Sequence, residues 1–266
     1  MKLKAGDNIP CAVPLESRKP TVFIRLPVEC RAQHTDCVRI NFLLMKKITA
    51  LLFLFPLLAC KAQTYDSYIA SADRTAFFYR HAGSNIGTLN KLAALQPRLR
   101  FAMNIQMYAN GRDGYRPVGL FIENGKTVTP LVRVNNPKVN FGMQPQAVFA
   151  LTKDDRAVLV PLDEAAPATY KYAVEIAPML VINGALNPRL TRAPSRYIRN
   201  GVGILADGRI LYAISREPVT FQELARFFLQ KGCRSAAFID GVVSQSWRPG
   251  APPEYDGDFA VMAGAW

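Results

Sequence analysis

Arg196-Tyr197-Ile198-Arg199-Asn200-Gly201-Val202-Gly203-Ile204-Leu205 runs into Asp207-Gly208, and Ile210-Leu211-Tyr212-Ala213-Ile214 follows. Thr220-Phe221-Gln222-Glu223 comes next, and the block closes on Phe238-Ile239-Asp240-Gly241-Val242-Val243-Ser244. Asp207-Gly208 supplies the positive φ angles of a tight turn, so the apolar runs on either side of it predict a hairpin. Thr220 with Glu223 is a capping box, Val219 can staple onto Leu224, and Phe221, Leu224, Ala225 and Phe228 recur at helical spacing. Lys231-Gly232 then supplies a cation and a left-handed stop, ending the helix near Lys231. Ala236 to Ile239 reads as a short apolar strand that delivers Asp240 to its carboxyl end, where Gly241 leaves the carboxylate uncovered.

Working outward, Phe101 to Tyr108 predicts a strand that carries Asn104 and Gln106 on one face. Each amide needs partners there: a satisfied core group and a sugar or phosphate contact are both open for Asn104. Val118 to Ile122 and Val128 to Val132 flank Asn124-Gly125 as a second hairpin, and Val148 to Thr152 with Ala157 to Pro161 form a third around Asp154-Asp155. Ala173 to Ile182 reads as one further strand. Ala76 to Arg80 is a first strand, and Thr88 to Leu95 is a helix closed by Pro97. Antiparallel tracts with two helices at separate places give an α+β fold, a single domain of mostly antiparallel or mixed sheet spanning residues 76–266.

The leading residues stand apart. Met45-Lys46-Lys47 opens a short basic segment, Ile48 to Leu58 is apolar, and Leu57-Leu58-Ala59-Cys60 has the form of a lipoprotein signal. Residues 45–59 are therefore expected to be a cleaved signal peptide, with Cys60 as the lipidated residue and 60–75 as a polar tether. Residues 1–44 read as a disordered leader, or as upstream sequence translated in frame ahead of a start at Met45. The expected location is the cell envelope, facing the periplasm or the exterior, with a membrane as partner through the lipid.

Of the chain's 33 basic and 20 acidic residues, nine and four precede Cys60, which leaves 24 and 16 and a net charge of +8 rather than +13. That excess favours anionic partners such as phosphorylated glycans. No basic helix face or aromatic-basic interleaving points to nucleic acid. Beyond Cys60 the only other cysteine is Cys233, so no internal disulfide forms once Cys60 is acylated, and Cys233 reads as a buried thiol. His81 is the one histidine after Cys60, which excludes a multi-histidine metal site and leaves a histidine triad dependent on that residue. Gly201-Val202-Gly203 lacks the third glycine and the following helix of a dinucleotide loop, so no cofactor is expected. A divalent cation held by Asp240, Asn104 and Asn200 stays open, without calcium-loop spacing.

Arg-Asn-Gly-Val-Gly, the Pro-Val-Thr-Phe helix start and Asp-Gly-x-x-Ser resemble the phosphodiester glycosidase family. Phe101-Ala102-Met103-Asn104, Pro117-Val118-Gly119-Leu120 and Ala177-Pro178-Met179-Leu180-Val181-Ile182-Asn183-Gly184 follow the family's order as well, from about Gly87 to the C-terminus. The resemblance implies a hydrolase that cleaves a sugar from a sugar phosphodiester or a related envelope glycan. Arg199 and Asp240 are the catalytic candidates. A planar guanidinium binds two phosphate oxygens, and a carboxylate faces the developing oxocarbenium ion or activates water. Asn104, Gln106, Asn200, Gly201, Gly241 and Ser244 are the substrate-binding candidates, and Ser246 and Trp247 lie at the rim or in the core. All of this requires Arg199 and Asp240 to share one solvent-reached hollow.

Three positions depart from the family pattern. Asn104-Ile105-Gln106, Pro145-Gln146-Ala147 and Glu175-Ile176-Ala177-Pro178 place bulk where the family carries small residues, which narrows or closes a pocket. Glu175 is also a candidate second carboxylate. A non-catalytic envelope glycan-binding lipoprotein is the alternative reading.

Overall fold

The computed structural model describes residues 65–111, 114–190 and 195–266; among these, 19 strands, two α-helices and four 3-10 turns form three main sheets. The largest sheet runs in the order β1 (Tyr65–Ala70), β16 (Ile210–Ser215), β15 (Asn200–Leu205), β17 (Cys233–Asp240), β13 (Met179–Ile182), β14 (Ala185–Leu186). A second has the order β11 (Ala157–Pro161), β10 (Ala147–Thr152), β12 (Tyr170–Ile176), β8 (Phe121–Glu123), β9 (Lys126–Thr129). The third has the order β18 (Ser246–Trp247), β5 (Phe101–Asn104), β19 (Met262–Ala265), β2 (Thr75–Phe78). Two small hairpins complete the set: β3 (Arg80–His81) with β4 (Ser84–Asn85), and β6 (Tyr108–Gly111) with β7 (Gly114–Pro117). Every named pairing is antiparallel.

Inward residues of all three sheets meet in one core that includes Phe77, Phe101, Phe149, Val174, Val202, Tyr212 and Ile239. Helix α1 (Leu89–Leu95) covers the outer side of β5 and β19 through Leu89 and Leu92. Helix α2 (Phe221–Gln230) covers the large sheet with Phe221, Leu224, Ala225 and Phe228. The architecture is α+β, as expected. The capping box is complete: the Glu223 amide donates to Thr220 Oγ1 at 3.2 Å, and the Thr220 amide donates to Glu223 Oε2 at 2.7 Å. Gly232, at φ +83°, stops the chain just beyond the helix.

Alternation along β15 explains its two glycines. Val202 and Ile204 point into the core, whereas Gly201 and Gly203 lie beneath α2. A Cβ on Gly203 would sit 2.7 Å from Cys233 Sγ and 2.9 Å from Phe228 Cδ1, and one on Gly201 would sit 2.8 Å from the Ala237 carbonyl oxygen. Only hydrogen fits between strand and helix. Gly203→Ala is expected to destabilise the fold by roughly 1–3 kcal/mol through overpacking, read as a lower urea midpoint.

Several boundaries differ from the sequence reading, among them the second hairpin, whose strands are Phe121–Glu123 and Lys126–Thr129, and the first expected strand, which is Thr75–Phe78. The stretch expected to be tether contributes β1, because Tyr65 to Ala70 pairs with Ser215 to Ile210 as an edge strand and buries Ala70. The expected strand over 173–182 is two strands in different sheets, since Ala177-Pro178 lies between β12 and β13. The expected strand over 101–108 ends at Asn104, and Tyr108 starts a separate hairpin. The leader, the signal and Cys60 lie outside the described residues.

Candidate active site

The register of the large sheet brings the candidates together. Asn200 opens β15, Asp240 closes β17, and the two residues pair. Asn200 is wholly buried; its Nδ2 donates to the Asn104 carbonyl oxygen at 2.9 Å and to Asn104 Oδ1 at 3.0 Å, while its Oδ1 accepts the Asp240 amide at 2.8 Å. Ser244 Oγ donates to the Asp240 carbonyl oxygen at 2.9 Å, and the Gln245 amide donates to Asn104 Oδ1 at 3.0 Å. Asn104, Asn200, Asp240 and Ser244 therefore form one network that joins the large sheet to the β5 sheet. Both carboxamides are engaged within it, which ties their oxygens to protein donors. Asn104 Nδ2 is buried there without a partner.

Asp240 aims its Oδ1 back at its own turn, accepting the amides of Gly241 at 2.6 Å, Val242 at 2.9 Å and Val243 at 3.4 Å. These bonds fix the half-buried carboxylate at the strand end. Among the described residues no donor reaches Oδ2, so that oxygen is free to face a reacting group.

Arg199 precedes Asn200 and, by strand alternation, faces α2. Its guanidinium carbon lies 3.9 Å above the Phe221 ring centroid and 5.3 Å from those of Phe238 and Tyr197. Nε donates to the Val219 carbonyl oxygen at 2.9 Å, and Nη2 donates to the Ser195 carbonyl oxygen and Oγ, both at 3.1 Å. Nη1 is buried with no partner, and no carboxylate among the described residues pairs with this cation. Burial lowers the Arg199 pKa to about 10, which still leaves it charged at neutral pH. Gly241 lies against it: a Cβ there would be 3.1 Å from Nη1. The glycine is explained by this close approach. The structure thus brings Arg199 beside the Asp240 turn, but seals it at 1% exposure instead of in an open hollow.

One cavity adjoins the network and a second adjoins the partners of Arg199. The first, of about 730 Å³, reaches Ser244, Ser246, Ser215 and Arg248. The other, of about 440 Å³, is lined by Lys138, Arg189 and Gln144, and shares with Arg199 the residues Ser195 and Phe221. Lys138 and Arg189 belong to irregular segments whose sequences carry no pattern that would single them out. Trp247 is half-buried and packs toward α1. Gly201 and Gln106 have structural partners: Gly201 makes room for Phe228, and Gln106 Nε2 donates to the carbonyl oxygens of Val118 at 3.0 Å and Leu120 at 2.9 Å.

The three departures from the family pattern form one polar cluster. Glu175 Oε2 accepts the amides of Leu120 at 2.8 Å and Val132 at 3.0 Å, and its Oε1 accepts Gln146 Nε2 at 3.0 Å. Gln106 grips the same loop through its carbonyls. A Cβ on Gly119 would stand 2.6 Å from Glu175 Oε2, so the glutamate fills the space beside that glycine. Burial raises the Glu175 pKa despite these bonds. Its oxygens are occupied by the 118–132 loop and Gln146, which gives it the role of a buried clamp. Among the described residues no three His, Cys, Asp or Glu side chains gather as a metal site.

Residues 98–256 match the family model described as phosphodiester glycosidase. The uncharacterized protein YigE of Escherichia coli K12 is 30% identical over 237 residues, covering 82% of this chain and 91% of that protein. Among solved structures, the fold is similar to the catalytic domain of zebrafish N-acetylglucosamine-1-phosphodiester alpha-N-acetylglucosaminidase, auto-inhibited by its pro-peptide. That likeness has a TM-score of 0.57 at 12% identity and covers 78% of this chain and 84% of that one. A putative exported protein of Burkholderia pseudomallei K96243 is similar with a TM-score of 0.54 at 12% identity, covering 76% and 73%. The residues matched by the family model, with the extent of the E. coli relative, place this chain in the phosphodiester glycosidase family.

Proposed function

We propose that this protein is an envelope hydrolase that releases a sugar from a sugar phosphodiester or related glycan, anchored to a membrane by lipid on Cys60. The observation that carries this reading is the buried, unpaired Arg199 cation, whose partnerless Nη1 lies against Gly241, the residue that follows Asp240. An unpaired buried charge is costly unless a partner arrives, and a phosphate oxygen is the partner that a guanidinium fits best. Lys138 and Arg189, in the cavity that shares Ser195 and Phe221, add positive charge on the same approach. The zebrafish enzyme's name supplies the substrate class, and the +8 charge after residue 59 suits it.

In this scheme water adds to the anomeric carbon as the bond from that carbon to the phosphate oxygen breaks. The phosphate leaves as a stable monoester anion, so it needs less protonation than an ordinary glycoside's leaving group. Asp240 Oδ2 stabilises the oxocarbenium-like centre or takes the proton of the attacking water. Arg199 neutralises the departing phosphate, which requires the 241–244 turn to shift and open Nη1. The scheme uses no cofactor and no metal, and nucleic acid is not a partner. No helix among the described residues is long and apolar enough to cross a membrane.

The assay is sugar release by the wild-type chain from a panel of synthetic sugar-1-phosphodiesters. Turnover of at least one member is expected. The sealed guanidinium favours one competing reading, a binding protein without turnover; saturable binding of the panel with no release of sugar would support it and overturn the hydrolase.

A further inference from the structure

We infer that Tyr108, Tyr115, Tyr255 and Asp258 form an acidic and aromatic wall beside Asp240 that binds the neutral sugar ring of the substrate. This rests on the proposed function and adds the orientation of the bound molecule. Tyr108 and Tyr115 face one another across the β6–β7 hairpin, edge to face, with ring centroids 4.8 Å apart. The hairpin is pinned from below, since the Tyr115 carbonyl oxygen accepts Tyr79 Oη at 3.0 Å and Asn85 Nδ2 at 2.6 Å. Tyr115 Oη in turn donates to Asp258 Oδ2 at 3.3 Å.

The opposing loop is equally fixed. Asp256 caps α1 by accepting the Leu89 amide at 2.8 Å and the Asn90 amide at 3.2 Å, and buried Phe259 donates its amide to the Gly87 carbonyl oxygen at 2.6 Å. Between these anchors Asp258 is exposed, and Tyr255 just ahead of them is 58% exposed. Tyr108 packs with Val243 of the Asp240 turn and with Trp247 against the cluster that holds Met262, the strand partner of Asn104. Asn104 carries the unpartnered buried Nδ2.

The charges decide what this wall can take. Burial first, then the charge of Asp240 and the neighbouring Tyr115, Tyr255 and Asp258, push the Tyr108 pKa up to about 12. For Tyr115 the charge of Asp258 is the leading cause of the raised value, and among the described residues no cation lowers either tyrosine. A phosphate brought here would meet two carboxylates. A neutral pyranose would meet aromatic faces for its C–H groups, the Tyr115 phenol oxygen as an acceptor, and the Asp258 carboxylate, whose lone pairs beyond the one taken by Tyr115 can accept hydroxyls. The sugar therefore lies toward Asp258 and the phosphate toward Arg199, which leaves the anomeric carbon at Asp240.

The test is binding of two probes to the full chain: methyl α-pyranosides of glucose, galactose, mannose and N-acetylglucosamine by saturation-transfer NMR, and inorganic phosphate by calorimetry. Asp258→Asn is expected to weaken the best pyranoside about tenfold and leave phosphate unchanged. Tyr115→Ala is expected to do the same, whereas Tyr115→Phe keeps the ring and most of the affinity. Arg199→Met is expected to lose phosphate and keep the pyranoside. Asp258 is exposed and Tyr115 half-buried, and circular dichroism melts check that the variants fold. Pyranoside affinity that is absent in wild type, indifferent to Asp258→Asn and Tyr115→Ala, or lost together with phosphate overturns the wall. Sugar binding that depends on Asp258 without any turnover upholds it and rejects the hydrolase instead.

Discussion

Arg199→Met is expected to abolish turnover of a sugar phosphodiester, by roughly a hundredfold or more, while leaving the protein about as stable as wild type. A buried arginine serving only the fold would behave differently. The guanidinium has no carboxylate partner among the described residues, and its desolvation penalty is offset by Phe221, Phe238 and Tyr197 and by hydrogen bonds to Val219 and Ser195. Replacing an unpaired buried charge by an apolar side chain of similar length removes the penalty along with those contacts, so stability should stay within about 1 kcal/mol of wild type or rise. The Val219 carbonyl oxygen keeps its bond from the Tyr197 amide at 3.2 Å, so it is not orphaned. Phosphate binding has no such substitute, since losing one partner of a buried charge pair costs roughly 2–5 kcal/mol. Urea unfolding and kcat/KM on the same preparations give the answer. A stability loss above about 3 kcal/mol would mark Arg199 as a structural residue.

Asp240→Asn is expected to lower kcat by about 10²–10⁴, with KM and melting temperature nearly unchanged. The asparagine carbonyl can still accept the amides of Gly241, Val242 and Val243, so the turn survives. What disappears is the negative charge on Oδ2, the only part of the side chain not engaged with the turn. A KM-dominated loss would show instead that the residue merely orders the turn.

Much of the fold can be read locally. The Asp207-Gly208 turn, the capping box at Thr220 and the strand ending at Asp240 depend on neighbours within a few residues, and the structure contains each. Features that depend on distant partners could not be read that way. The glycines of Gly201-Val202-Gly203 answer to Phe228, and Gln106, Gln146 and Glu175 look like separate intrusions until tertiary packing joins them around the 118–132 loop. Tyr65 to Ala70 is an edge strand with little apolar alternation, so only its pairing with β16 reveals it. Burial of Arg199 arises from Phe221 and Phe238, well separated in sequence. Tyr108, Tyr115 and Asp258 likewise meet only in space.

Cleavage by the proposed route requires that the phosphate sit at Arg199. The most direct measurement is a crystal structure of Asp240→Asn soaked with an intact sugar-1-phosphodiester. The predicted result is a phosphate oxygen within hydrogen-bond distance of Arg199 Nη1, with the 241–244 turn displaced to admit it. A phosphodiester bound elsewhere, with the guanidinium still sealed against Gly241, would contradict it.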